Sequence, residues 1–146
     1  MCPETMTAGG PGWSDLRSMV EEFYGALAAR DVAGVERFID DNFAEDVTLT
    51  RPESLPGGGT LEGADRVKRL MSAVAGAQGG PLDPAQLRIE RVLESTGEDA
   101  DDVGVELSFS WNGTPTTSFE WWVVRDLKVT QIRAYYWDTA MMLGRE

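Results

Sequence analysis

Apolar residues recur at helical spacing in three places in the first half of the chain. The first stretch follows Ser14, a residue type that caps helix N-termini, and its apolar face is formed by Leu16, Met19, Val20, Phe23 and Leu27. We expect this helix to end near Arg30, where Asp31 can cap a second, shorter helix that carries Val35, Phe38 and Ile39. Residues 64–76 return to helical spacing before a glycine-rich stretch, which predicts a third helix.

The remaining apolar positions alternate with polar ones, as in β-strands. Val47, Leu49 and Arg51 form a short alternation that Pro52 ends, which predicts a first strand. Four longer strands are predicted near residues 87–95, 103–112, 117–125 and 128–138. This order favours one α+β domain in which an antiparallel sheet curls over the helices.

The last hairpin allows a more detailed prediction. A two-residue turn at Asp126 and Leu127 pairs Arg125 with Lys128 and so places Glu120 opposite Arg133. One face would then carry Phe119, Trp121, Val123, Ile132, Ala134, Tyr136 and Asp138, and the other Glu120, Trp122, Gln131, Arg133, Tyr135 and Trp137. A one-residue bulge would undo this assignment. Three helices cover only one aromatic face, so we expect a partner sheet, and hence a homodimer, to cover the other.

Composition restricts the functional classes. With 146 residues and a net charge of −12, the chain is one domain's worth of sequence and repels nucleic acid. It contains no apolar run long enough for a membrane span, a single cysteine (Cys2) and no signal-peptide pattern, so we expect a cytoplasmic protein. Residues 1–12 are expected to form a flexible leader, and residues 13–146 the domain.

The absence of histidine excludes sites that depend on this residue, in nucleophilic catalysis and in metal binding alike. Neither a metal nor an organic cofactor is implied. Asp138, which follows an aromatic strand beside Tyr136, is the leading candidate for an acid or base, although it could simply cap the next segment. Glu106 and Glu120 are alternatives, and Arg51 could bind a carboxylate or enolate oxygen. A hydrophobic small molecule could be bound by the aromatic residues Tyr24, Phe109, Trp111 and Trp121.

Four segments give the chain a resemblance to the SnoaL-like polyketide cyclases of the nuclear-transport-factor-2-like superfamily. They are VEEFYGALAARDVAGVERFI, FAEDVTLTRPESLPGGGTLEGADRV, VELSF and FEWWVVRDLKVTQIRAYYWDTA. The resemblance implies a cone-shaped fold in which three helices and a curved, mostly antiparallel sheet enclose a hydrophobic pocket. Ketosteroid isomerase and limonene epoxide hydrolase share this fold. It also implies that RPESLPGGGT forms part of the pocket lip. The alternative is that this segment only connects the first strand to the third helix.

The resemblance implies an acid/base aspartate at the end of the last strand, and YYWD supplies Asp138. Arg51 stands before Pro52 where ketosteroid isomerases carry an aspartate, and VELSFSW lacks the Arg-x-Asp pair of epoxide hydrolases. We therefore expect a cyclase that folds a polyketide-like intermediate in an aromatic pocket, with Asp138, Glu120 and Tyr136 as catalytic candidates. The ring could close by acid/base catalysis or by a pericyclic reaction that needs no base. The alternatives are a binding protein without catalytic activity, and an epoxide hydrolase or isomerase.

Overall fold

The computed structural model describes residues 16–144. The predicted leader, Trp13 and the Ser14 cap lie outside this range. Along the chain, the elements are α1 (Leu16–Ala28), α2 (Val32–Asn42), β1 (Phe43–Arg51), β2 (Gly59–Glu62), α3 (Ala64–Gly76), a 3₁₀ turn (Pro84–Gln86), β3 (Arg88–Thr96), β4 (Asp101–Trp111), β5 (Thr114–Arg125), β6 (Lys128–Tyr136) and α4 (Thr139–Met142).

The three predicted helices form where the apolar spacing places them. The apolar face of α1 is buried, and it includes Tyr24 in addition to the residues named above. Asp31 caps α2, because its Oδ1 accepts a hydrogen bond of 2.9 Å from the backbone N–H of Gly34. Within residues 16–144, no helix is both long and apolar enough to cross a membrane.

The strands form one six-stranded sheet in the order β2-β1-β6-β5-β4-β3. All neighbouring pairs are antiparallel except β1 and β6, which are parallel. The helices pack on one face of this curved sheet, which does not close into a barrel, and the predicted α+β cone is confirmed. The concave face therefore lies under the helices, and the convex face is left open.

Aromatic side chains form the centre of the core. Trp122 is fully buried, and its ring centroid lies 5.2 Å from that of Phe23 and 5.8 Å from those of Tyr24 and Phe43. The three ring pairs have edge-to-face geometry, which is worth about 0.5–1.5 kcal/mol for each pair beyond its area burial. This cluster joins α1 to the middle of the sheet.

The last hairpin has the predicted turn but a different register. Arg125 pairs with Lys128, and Asp126 and Leu127 both have positive φ, as a two-residue turn that matches the sheet twist requires. The pairing then shifts by one residue at Thr130, so Glu120 faces Ala134 instead of Arg133. The predicted pairing of Glu120 with Arg133 is therefore wrong.

This bulge exchanges the side chains that share a face. Glu120 and Trp122 lie with Ile132, Ala134 and Tyr136 on the concave face. The convex face carries exposed apolar side chains, which we call the outer aromatic patch: Leu93, Phe119, Trp121, Tyr135 and Trp137. The prediction that both faces carry large aromatic residues is confirmed. Each β5 residue, however, lies on the face opposite to the one predicted for it.

Gly104 lets the outer aromatic patch lie flat. It pairs with Trp121 on one side and Leu93 on the other. A Cβ atom at this position would lie 2.3 Å from Cζ of Phe119, so the Phe119 ring occupies the space that any larger residue would need.

Candidate functional site

A cavity of about 280 Å³ lies between the helices and the concave face of the sheet. Phe23 and Leu27 of α1 and Leu70 and Val74 of α3 form its helical wall. The sheet contributes Leu49, Leu107, Phe109, Ser118, Glu120, Ala134 and Tyr136. An apolar lining with a few convergent polar groups is the usual composition of a small-molecule site, although this volume is at the lower end of the roughly 300–1,000 Å³ such sites have.

Glu120 is the carboxylate in this cavity, and a hydrogen-bond chain from α1 and β5 holds it. Tyr24 Oη donates to Oε1 of Glu120 in a short contact. Trp122 Nε1 donates in turn to Tyr24 Oη at 3.0 Å. Because an indole N–H can only donate, the tyrosine oxygen must accept from Trp122, which leaves its own proton for Glu120.

The cavity shifts the pKa values of its acidic groups upward. Burial raises the pKa of Glu120 above its usual range, against the opposing effects of the Tyr24 hydrogen bond and the charge of Arg51. Burial, together with the charge of Glu120, also raises the pKa values of Tyr24 and Tyr136. Both tyrosines therefore remain hydrogen-bond donors at neutral pH, while Glu120 is closer to the pKa that suits a general acid or base.

Arg51 brings a positive charge to the same cavity. Thr50 pairs with Arg133 in the parallel register, so Arg51 lies next to Ala134, the residue that pairs with Glu120. Two strand spacings, about 9–10 Å, separate the backbones of Arg51 and Glu120, and the small Ala134 leaves the space between their side chains open. The positive charge of Arg51 lowers the pKa of Tyr136, which partly offsets the effect of burial.

The segment between β1 and β2 supports Arg51 from outside the cavity. Nη1 of Arg51 donates to the carbonyl of Gly57 at 3.2 Å. At Gly58, a Cβ atom would lie 1.9 Å from the carbonyl oxygen of Pro52, so only glycine fits this turn. Residues 52–60 do not themselves line the cavity, and the segment contacts the site through Arg51 instead of forming a lip.

The structure brings together most of the residues that the sequence singled out. Tyr24, Arg51, Phe109, Trp111, Glu120 and Tyr136 all line the cavity. Trp111 also links the cavity wall to α4, because its Nε1 donates to the carbonyl of Met142 at 3.0 Å.

Asp138 and Trp121 are not in the cavity. Asp138 caps α4, where its Oδ1 accepts from the backbone N–H of Met141 at 3.0 Å, and it faces a separate open groove. Trp121 lies in the outer aromatic patch, and its Nε1 donates to Asp102 at 2.9 Å. Trp121 lies outside the cavity because the bulge at Thr130 reverses the facing of β5 relative to β6. Asp138 lies outside it because β6 ends at Tyr136 and Asp138 is the N-cap of α4, which agrees with the alternative that this residue caps the next segment. Glu106 is also on the convex face, in an ion pair of 3.3 Å with Arg91.

Two residues of the site were missed by the sequence analysis. Trp122 was assigned to the wrong face, although it is the residue that fixes Tyr24. Ser118 was not singled out, yet it lines the cavity and its hydroxyl is buried. Its position two residues before Glu120 on the same strand was the available signal, since alternate residues share a face. Residues 16–144 contain no group of three or more carboxylate or thiol side chains that could hold a metal ion.

Comparison with known proteins adds information about the fold. No protein-family model and no curated protein matches the sequence. Among solved structures, an NTF2-like protein of unknown function from Cytophaga hutchinsonii is 16% identical, with a TM-score of 0.57 over 86% of this chain and 92% of that one. The chain has the NTF2-like fold.

Two further solved structures are similar to this chain in fold. A protein from Kribbella flavida provisionally assigned as a ketosteroid isomerase is 17% identical, with a TM-score of 0.60 over 82% of this chain and 76% of that one. A de novo designed protein with a curved β-sheet is 20% identical, with a TM-score of 0.62 over 87% of this chain and 88% of that one. The NTF2-like fold therefore leaves the activity to be argued from the site.

Proposed function

We propose that this protein catalyses proton transfer on a small hydrophobic carbonyl compound, leading to isomerisation or ring closure, with Glu120 as the general base and acid. The observation that carries the proposal is the position of Glu120 in an apolar cavity, with its carboxylate held by Tyr24. A polyketide-like intermediate is the substrate class that the resemblance of the sequence favours. The cavity volume, comparable to about nine water molecules at roughly 30 Å³ each, restricts it to a small one.

The mechanism begins with the removal of a proton from the carbon next to the carbonyl group. The carboxylate of Glu120 takes this proton, and the bonding electrons move onto the carbonyl oxygen. Tyr136 can donate a hydrogen bond to the resulting enolate oxygen, and the charge of Arg51 stabilises it. Tyr24 keeps the Glu120 carboxylate oriented throughout.

The enolate then has two outcomes. If Glu120 returns the proton to a different carbon of the conjugated system, the double bond moves and the product is an isomer. If the enolate carbon attacks a second carbonyl of the same molecule, a carbon–carbon bond forms and the proton goes to the new alkoxide. Neither outcome changes the mass of the compound, and the cavity favours ring closure by holding the substrate in a folded shape.

The test uses 3-cyclohexen-1-one in deuterated buffer, followed by proton NMR. Wild-type protein should accelerate loss of the α-proton signals and formation of the conjugated ketone, and Glu120→Gln should slow this by roughly 100-fold to 10,000-fold. Asp138→Asn is the matched control, because asparagine keeps the cap of α4 and removes a carboxylate outside the cavity. Exchange at the buffer rate with wild-type protein, or equal rates for wild type and Glu120→Gln, would refute the proposal.

A binding protein without catalytic activity is the second candidate. It is favoured by one observation, namely that Tyr24, Glu120 and Trp122 already satisfy each other's polar groups without a ligand. In that case the cyclohexenone would bind and be recovered with all its α-protons in place.

A further inference from the structure

Ser118, which lines the cavity, has a side-chain hydroxyl without a partner in the described part of the chain. The Oγ atom of Ser118 is inaccessible to solvent and has no hydrogen-bond partner among residues 16–144, and the residue as a whole is only 3% exposed. An unpaired buried hydroxyl is unfavourable, and such groups in folded proteins usually have an explanation in a water molecule or a ligand.

The position of Ser118 relates it to the proposed acid–base centre. Ser118 lies on the same face of β5 as Glu120, two residues away, which corresponds to about 6–7 Å along the strand. It pairs with Tyr136 on one side and with Leu107 on the other, and both of these residues line the cavity. A molecule that reaches Glu120 at one end can therefore contact Ser118 at the other.

We infer that Ser118 binds a second oxygen atom of the ligand, so that the compound recognised by the cavity carries a further hydroxyl or carbonyl group a few carbons away from the reacting carbonyl. This inference rests on the proposed function of the cavity and specifies its substrate class. A site that is built to pair with a polar group discriminates against analogues that lack it, because the buried protein group is then left unsatisfied.

Thr116 provides a matched control on the same strand. Its hydroxyl is also buried and lacks a partner among the described residues, and Thr116 shares the face of Ser118 and Glu120. It lines the open groove near Asp138 and not the cavity. A generic effect of removing a buried hydroxyl from β5 would therefore appear in Thr116→Val as well as in Ser118→Ala.

The experiment compares two probes, 2-naphthol and 2,6-dihydroxynaphthalene, by isothermal titration calorimetry. One hydroxyl of either probe can occupy the position of the enolate oxygen, and only the second probe has an oxygen at its far end. Wild-type protein should bind the dihydroxy probe about tenfold more tightly than 2-naphthol. In Ser118→Ala this preference should fall to about the twofold statistical factor of a symmetric probe, and Thr116→Val should keep the wild-type preference.

Each alternative result has a defined meaning. If Ser118→Ala keeps the tenfold preference, or if wild-type protein shows none, the inference about Ser118 is wrong and the proposed function still stands. If neither probe binds wild-type protein, the cavity is not the proposed site and both proposals fail. A lower unfolding temperature for ligand-free Ser118→Ala than for wild-type protein would show that the hydroxyl has a structural partner, which also overturns the inference.

Discussion

The buried carboxyl group of Glu120 should make the protein less stable as the pH rises from mildly acidic to neutral values. In the unfolded chain, a glutamate loses its proton near pH 4.3, roughly its reference value. In the folded protein, burial raises the pKa of Glu120, so the group keeps its proton to a higher pH. Between these two pKa values the folded state binds more protons than the unfolded state, and a rise in pH therefore favours unfolding.

The size of the effect follows from the number of protons involved. One proton difference corresponds to a loss of about 1.4 kcal/mol of unfolding free energy per pH unit. This contribution is fully present below the unfolded pKa and is lost as the pH rises through the raised pKa of the folded protein. Tyr24 and Arg51 both stabilise the ionised form, so they limit the width of the pH window.

The assay is urea unfolding followed by tryptophan fluorescence, in steps from about pH 5 to about pH 8, for wild-type protein and Glu120→Gln. In the difference between their unfolding free energies, the contributions from titration of the other acidic groups cancel. This difference should shift against wild-type protein as the pH rises above the pKa of the unfolded chain, and it should level off once the pH exceeds the raised pKa of the folded protein. Tyr24→Phe removes a hydrogen bond that lowers the pKa of Glu120, so in that background the decline should continue to higher pH.

Glu106→Gln is the control for this measurement, because Glu106 lies on the convex face in an ion pair with Arg91. Because this variant keeps the buried Glu120, its unfolding free energy should still decline with rising pH relative to that of Glu120→Gln. A flat difference between wild type and Glu120→Gln, or one that moves in favour of wild-type protein with rising pH, would refute the reasoning about burial.

Two further predictions concern the turn and the convex face. Leu127 has a φ of 65°, which is unfavourable for a side chain, so Leu127→Gly should stabilise the protein by about 1 kcal/mol in urea unfolding; a loss of stability would contradict this account of the turn. We expect the outer aromatic patch to pair with that of a second copy of the chain. Light scattering at micromolar concentration should then give twice 16.0 kDa for wild-type protein and 16.0 kDa for Trp121→Lys. Leu127→Lys, which changes an exposed residue outside the patch, should keep the wild-type mass. A wild-type mass of 16.0 kDa would exclude this dimer.

The sequence was sufficient to predict the elements that depend on local spacing. The apolar faces of α1 and α2, the Asp31 cap and the turn at Asp126 and Leu127 all follow from residues close together in the chain. The short elements β2 and α4 were not among the predicted elements, since four residues are too few to show a period.

The candidate site was predictable in its parts but not in its arrangement. Tyr24, Arg51 and Tyr136 could be named from residue type and position, and they do line the cavity. The facing of Glu120 depended on the register of one hairpin, and the residue types near Thr130 do not indicate a bulge. Thr130 fits an alternating strand as well as its neighbours do, so only the complete packing of β5 against β6 could decide the register.

The extra residue at Thr130 also suggests how this scaffold could change its chemistry during evolution. With Arg125 and Lys128 still joined by the same turn, a regular hairpin in which Thr130 paired with Val123 would place Arg133 opposite Glu120 and Tyr135 where Tyr136 now faces the cavity. The carboxylate would then be neutralised by a neighbouring cation and would lose its character as a proton carrier. A change that removes the bulge at Thr130, with no insertion or deletion in the chain, can thus remove an acid–base centre from this sheet without changing any of the residues that form it.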